Sequence, residues 1–490
     1  MKKFTLPYLL LLLPVLTLAQ AKPAILKDAW KKVHGIASSF EFNDHQGIIQ
    51  VTLTDTSFEL MAMDNKLSVL WRDTLKGTGV TCGKFRGKIL AVSDSAFSNR
   101  KGNINPYYAF LIDPASGKII LQNQIYAQKA KDDEQATAFF SADGNDFTLA
   151  VQQADVNHSW ILPYKNKIED LTLISLNERL EPAYLKPRVP DENYVSMAMN
   201  NSGDFFLLTI GDEKSGPPNR NGHGSTEPFS DKRTLLLRRY EHGSTEPSEP
   251  ILQPCDDVDK QDLRDAAGDM APSETDRTVV YLSIGHTNTD DDREIITARF
   301  NFATRQAQAL TEVFTHKHVR DVEKSYVPVN NDFSEADLGS AKKQMRVHYV
   351  AMQDGKLVTV SAEVYFVTLN NVTTFYGNAL VINGYDADLK PLFQQIMPVQ
   401  YSSGSPLTTG YALGTNELKI VSNSDSLSVY GRLDLATGKW SKLVRINADG
   451  GDSDQHFISF NDACIVPFIH RRAFGSKLNI DLVLAGYQEP

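Results

Sequence analysis

MAMDNKLSVLW at residues 61–71 joins one apolar strand to a second through a tight turn built on Asp64 and Asn65. The unit recurs as LIDPASGKIIL at 111–121, LISLNERLEPAYL at 173–185, RFNFATRQAQAL at 299–310, INGYDADLKPLF at 382–393 and GRLDLATGKWSKL at 431–443. Each copy puts alternating apolar residues before an Asp- or Asn-containing turn and a strand after it, which marks a fold built by repetition of a hairpin. Outward from the first copy, IASSFEF (36–42), IIQVTLTD (48–55), SFELMAMD (57–64) and SVLWRDT (68–74) read as four consecutive antiparallel strands. The same order follows downstream. FFSADGNDFTLAV at 139–151, AMNNSGDFFLLTI at 198–210 and APSETDRTVVYLSI at 271–284 join first strands to second ones, and turns near 65, 115, 178, 245, 303, 387 and 436 join third strands to fourth ones.

The end of the chain supplies only three such strands, around HFISF (456–460), ACIVPFI (463–469) and NIDLVLAG (479–486). PAILKDAW at 23–30 resembles the other fourth strands and provides the missing one. Pairing it with the C-terminal strand closes a ring and leaves no open edge. The expected fold is therefore all-β, a β-propeller of eight four-stranded blades formed by residues 22–490 as one domain. Seven blades is the alternative if the last strands pack irregularly.

The N-terminus bears on the compartment. Lys2 and Lys3 precede an apolar run from Phe4 to Leu18, and Ala19-Gln20-Ala21 offers a small-x-small cleavage site, so residues 1–21 read as a signal peptide. Pro7 and Pro14 interrupt a run already short for a spanning helix, and the first cysteine, Cys82, is too distant for a lipid anchor. The expectation is an exported protein, periplasmic or extracellular. With 50 basic and 60 acidic residues the net charge is −10. An acidic surface without a Lys/Arg-rich run argues against nucleic acid and anionic membrane as partners. Cys82, Cys255 and Cys464 are widely separated, so the fold does not rest on a disulfide framework and no haem-attachment motif is present.

The short hairpins and the D-x-x-[ST]-G-K turns DPASGK (113–118) and DLATGK (434–439) resemble those of bacterial β-propellers of the TolB-like and quinoprotein-like kinds. The segment from Glu363 to Gln400 also resembles a stretch of exported Bacteroidetes-type proteins of unknown function. The resemblance implies fold alone, because the motifs depart from those families where chemistry would sit. Trp440 follows Gly438 by only two positions, and only Asp64 to Trp71 approaches the quinoprotein docking pattern. Ser141-Ala142-Asp143-Gly144 places its glycine one position early for a sialidase-type Asp box.

The chain lacks a phosphate-binding GxxxxGK[ST], a GxSxG elbow and an HExxH pair. His316 and His318 would share one face of a strand and could form a metal pair. Asp290, Asp291 and Asp292, and Asp449, Asp452 and Asp454, offer oxygen ligands for Ca²⁺ but match no EF-hand register, so solvated turns are the simpler reading, with no metal or cofactor expected. HGSTEP occurs twice, at His223–Pro228 and His242–Pro247, flanking TLLLRRY, and the two copies belong at opposite ends of that strand.

Length accumulates on one face. The long second-to-third connections span 95–106, 154–168, 211–233, 286–293 and 370–377, and the long fourth-to-first links 253–276 and 311–344 emerge on the same side. Loops on a rigid scaffold are where recognition concentrates. That face offers His158, Trp160, Asn219, His223, Asp290, Asp292, Phe375 and Tyr376, a mixture of aromatic platforms and polar groups suited to a sugar or peptide. Two functions follow from different classes. One is a non-catalytic binding or scaffold propeller that recognises a glycan, a peptide or an envelope protein through this face. The other is a carbohydrate-active hydrolase or lyase with paired acids at the propeller axis.

Overall fold

The computed structural model describes residues 24–94, 104–129, 134–157, 165–212, 233–255, 268–287, 293–314, 343–369, 372–403, 409–424, 427–446, 451–471 and 477–485. Residues 1–23 and the C-terminal five residues lie outside them. The described strands form eight antiparallel sheets in a closed ring, and no helix among these residues is long and apolar enough to cross a membrane. Seven sheets contain four consecutive strands: blade 1 (35–76), blade 2 (78–129), blade 3 (134–185), blade 4 (193–255), blade 5 (268–314), blade 6 (343–403) and blade 7 (410–446).

Blade 8 closes the ring. The N-terminal strand Ile25–Val33 pairs antiparallel with Leu478–Ala485, which pairs with Cys464–Arg471. The blade's first strand is broken into two short pieces, Asp452–Ser453 and Ile458–Ser459, both paired to Cys464–Arg471. The expected eight-blade count and the N-terminal closure both hold, and only the broken first strand differs from the expected regular one.

The core is divided by blade interface. Eight apolar clusters each draw on two neighbouring sheets, from Ile48, Phe58 and Phe110 between blades 1 and 2 round to Trp30, Met61 and Phe460 between blades 8 and 1. Each blade is thus too thin to fold alone and gains its buried area from its neighbours, as repeat architectures do. Cys82, Cys255 and Cys464 form no disulfide among the described residues and are buried within three of these interfaces.

All seven third-to-fourth turns fall where the sequence placed them, and their chemistry explains why. The side-chain oxygen of Asp64 accepts from the backbone N–H groups of Lys66 and Ser68, Asn177 from Arg179 and Glu181, Asp386 from Asp388 and Lys390, and Asp434 from Ala436 and Thr437. An Asx side chain supplies the turn with the acceptor that water would otherwise provide. Gly117 takes φ +72°, and a Cβ there would stand 2.6 Å from the Trp71 ring, so only glycine fits.

Candidate functional site

Topology sorts the connections between strands onto two faces. First-to-second and third-to-fourth connections share one face and are short; the longest joins Tyr240 to Ile251 in blade 4. Second-to-third and fourth-to-first connections share the other face. These include the spans between Asp212 and Arg233, between Cys255 and Gly268, and between Phe314 and Lys343. Of the two HGSTEP copies, His242–Pro247 falls in the short connection after Arg233–Tyr240, and 223–228 lies outside the described residues.

Strands reach further towards the long-connection face than the sequence suggested. Ala154–Asn157 pairs with residues 165–168, so that connection shrinks to 158–164, and strands likewise take in Asn105, Pro106, His286 and Thr287. The largest correction is in blade 6. Phe375 and Tyr376 do not lie in a loop but within the strand Val372–Asp386, which is joined to Lys356–Leu369 by residues 370–371 alone. The register sets Phe375 opposite Phe366 and Ser403, and Tyr376 opposite Tyr365 and Ser402. β-Branched and aromatic residues in VTTFYG and YFVTL favour pairing over looping. Blade 6 strands run to 11, 14, 15 and 13 residues, so this blade extends beyond its neighbours on that face. His158, Trp160, Asn219, His223, Asp290 and Asp292 lie outside the described residues, as do His316, His318, Asp291 and Asp449.

Sequence reasoning missed two polar constellations. The first is a cavity of about 570 Å³ where blades 7, 8 and 1 meet, opening near the short-connection face. It exists because the broken first strand of blade 8 cannot fill the space between Gly35–Asn43 of blade 1 and Gly410–Gly414 of blade 7. Its wall carries a buried cation. Lys419 donates from Nζ to the carbonyls of Phe460 and Asn461 and pairs with Glu417 Oε1 at 3.0 Å. Glu417 gives its other oxygen to Arg432, whose Nε lies 2.8 Å away and whose Nη2 also donates to it. Burial, more than the neighbouring Asp44, raises the carboxyl of Glu41 in the same wall, while Lys419 draws it back.

The second constellation gathers on the first strands of blades 4, 5 and 6. Asp269 Oδ1 accepts from the N–H of Met270 at 2.9 Å and its Oδ2 from that of Val350 at 3.0 Å, tying blade 5 to blade 6. Burial outweighs those bonds and pushes Asp269 up to about 6. Desolvation, helped by the Asp269 charge, raises Tyr194 to about 12 and raises Tyr349 as well. Tyr349 stacks on Tyr411 of blade 7, with ring centroids 5.2 Å apart. Desolvation, with Arg346 nearby, holds His348 down at about 4, and its buried Nε2 has no hydrogen-bond partner among the described residues.

His348 occupies a position that recurs. Apart from Phe42 beside the turn of blade 1, the ladder between first and second strands skips one residue in each of blades 1, 2, 4 and 6: Ala37, Val80, Val195 and His348. Bulges of this kind re-aim side chains and are often found next to sites. Three of the four skipped residues are small and apolar, so the histidine is the exception. The alternation in KQMRVHYVAMQ breaks at this point, which is the signal that could have found it.

Other buried charges are already committed to the fold. Glu192 receives both Arg238 Nη atoms and the Thr209 hydroxyl, Asp204 receives Arg239 and the N–H of His242, and Glu312 receives Tyr385 and Asn383. Asp454 holds His456 at 2.6 Å. Among the described residues no three His, Cys, Asp or Glu side chains converge on a metal position.

No family model matches the chain, and no curated protein matches it. Solved structures match at fold level. BamB from Moraxella catarrhalis is 7% identical, with 96% of this chain and 99% of that one covered and a TM-score of 0.41. The polysaccharide lyase Uly1 is 8% identical over 92% of this chain and 89% of its own, with a TM-score of 0.38. The WD40 domain of SCAP from fission yeast is 10% identical over 95% and 98%, with a TM-score of 0.39. At these identities and TM-scores the likenesses carry no conclusion about the activity of this chain.

Proposed function

We propose that this chain is an exported, non-catalytic recognition propeller that binds a glycan, a peptide or an envelope protein through its long-connection face. The observation that carries the reading is the division of the connections. Every first-to-second and third-to-fourth connection is short, while the longest spans and the extended strands of blade 6 share the other side. A rigid ring with its variable length concentrated on one face is the arrangement of a scaffold presenting loops. Trp160 and Tyr376 are the aromatic groups proposed to contact the ligand, alongside His158, Asn219, His223, Asp290, Asp292 and Phe375.

The hydrolase reading is less well supported. Glycoside hydrolysis needs two available carboxyl groups. In the cavity wall both oxygens of Glu417 are bound to cations and Asp434 spends Oδ1 on its own turn, so beside Glu41 only the second oxygen of Asp434 is uncommitted. The test is binding to immobilised glycan and peptide panels. Trp160→Ala or Tyr376→Ala is expected to weaken binding by about tenfold or more, as loss of a stacked aromatic does, without changing the melting temperature. Full binding in both variants, with loss on substituting Asp113 or Asp434 on the short-connection face, would contradict the proposal.

A further inference from the structure

The cavity between blades 7, 8 and 1 lies on the side opposite the face proposed for recognition, so it calls for its own account. Its volume, about 570 Å³, falls in the range of small-molecule sites. Its charges are unevenly committed. Lys419 has three N–H donors, and the carbonyls of Phe460 and Asn461 and the carboxylate of Glu417 take all three. Arg432 and Lys419 together satisfy Glu417. No hydrogen bond or ion pair ties either oxygen of Glu41 to another described residue.

Glu41 is half-buried, so its carboxylate loses part of its hydration without gaining a hydrogen-bonded partner, and a cation placed against it recovers that cost. We infer that the cavity binds a small ligand bearing a primary ammonium group, with Glu41 as its counter-ion. The neighbouring wall suits the rest of such a group. Ser39 Oγ donates to the Phe457 carbonyl at 3.1 Å, leaving its lone pairs to accept a second ammonium hydrogen, and the rings of Phe40 and Tyr411 also border the cavity. An anion would meet the Glu41 carboxylate, with Lys419 fully engaged and Arg432 turned through Nε and Nη2 onto Glu417. A divalent metal would find only Glu41 and the second oxygen of Asp434 among the wall carboxylates, where it needs several oxygen ligands. A neutral sugar would leave the half-buried charge of Glu41 without a counter-ion.

The charged and titratable groups around Glu41 are Asp44 in the adjoining turn, Lys419 and Glu417 on the second strand of blade 7, Arg432 and Asp434 on its third, and Asp462 beyond the broken strand. Because burial raises the Glu41 carboxyl, protonation in mildly acidic solution removes the counter-ion. Ammonium binding is then lost as the pH falls and is restored as it rises.

The test is calorimetric titration of the full chain at pH 7.5 with lysinamide and, separately, with its diacetylated form. The wild type is expected to bind lysinamide and not the acetylated form. Glu41→Gln, which keeps the shape, is expected to weaken lysinamide about tenfold or more, the usual value of a charged hydrogen bond. Tyr376→Ala is expected to leave it unchanged, which separates this site from the long-connection face. Should Glu41→Gln fold poorly, the wild-type profile serves instead, with affinity expected to fall between pH 7.5 and 4.5. No lysinamide binding, equal binding of the acetylated form, undiminished affinity in Glu41→Gln or a flat pH profile would each overturn the inference.

Discussion

Asp269 and His348 sit on adjoining innermost strands and carry opposite pH signatures, so single substitutions should expose a dependence that the wild type conceals. Asp269 rises from 3.8 to about 6 on folding. A raised acid contributes stability that is present below its unfolded value and lost as the pH rises through its folded value. Two units correspond to at most about 3 kcal/mol. His348 falls from 6.5 to about 4. A depressed base contributes stability that is present above its unfolded value and lost as the pH falls through its folded value, again up to about 3 kcal/mol. Between pH 4 and 6.5 the two slopes oppose each other and nearly cancel. Asp269→Asn leaves the histidine slope alone, so the variant should gain on the wild type at pH 7 and lose that advantage towards pH 4. His348→Gln should do the reverse and gain as the solution is acidified. Urea midpoints followed by tryptophan fluorescence at pH 4, 5, 6 and 7, each referred to the wild type at the same pH, remove the shared contributions of Asp113, Asp143, Asp276 and Asp434. Variant-minus-wild-type differences that stay constant from pH 4 to 7 for both substitutions would refute the reasoning.

Three other outcomes follow from the ring and from the proposed export. Trp30 is 4% exposed, packs between blades 8 and 1 and donates to Glu59 at 2.6 Å, so Trp30→Ala should cost about 3–5 kcal/mol in urea unfolding, and deletion of residues 23–32 should give aggregation. An unchanged midpoint with a monomeric deletion variant would refute closure by this strand. Burial pushes the Cys82 thiol up to about 12, and Cys255 and Cys464 are buried too, so iodoacetamide should label none of the three in the native protein at pH 8, and replacing all three with Ala should leave a folded chain. Rapid native labelling, or an oxidant requirement for folding, would show otherwise. Mass spectrometry of exported protein should find an N-terminus at Lys22 or Gln20, and an intact Met1 in membrane fractions would contradict export by cleavage.

The sequence made the ring legible because its punctuation is local. The residues at Asp64, Asp113, Asn177, Asn301, Asp386 and Asp434 determine their own turns, so hairpins could be counted without knowing what they pack against. Closure was legible for a similar reason, since a strand missing at one end and a spare one at the other must pair. What depended on long-range geometry was not readable. The broken first strand of blade 8 looks in sequence like the continuous HFISF, and the cavity it leaves involves residues as distant as Glu41 and Lys419. Phe375 and Tyr376 read as loop residues although VTTFYG carries strand-forming residues, because the hairpin arm outruns the usual blade length. Asp269 shows its perturbation only when burial and the amide of Val350 are known.

The central claim is that recognition belongs to the long-connection face. Hydrogen exchange on the full chain, with and without a saturating ligand taken from the glycan or peptide panels, tests it most directly. The account predicts added protection in the second-to-third and fourth-to-first connections and along the end of blade 6 near residues 365–376, with none in the short turns. Protection confined to the short turns around Asp113 and Asp434 would contradict it.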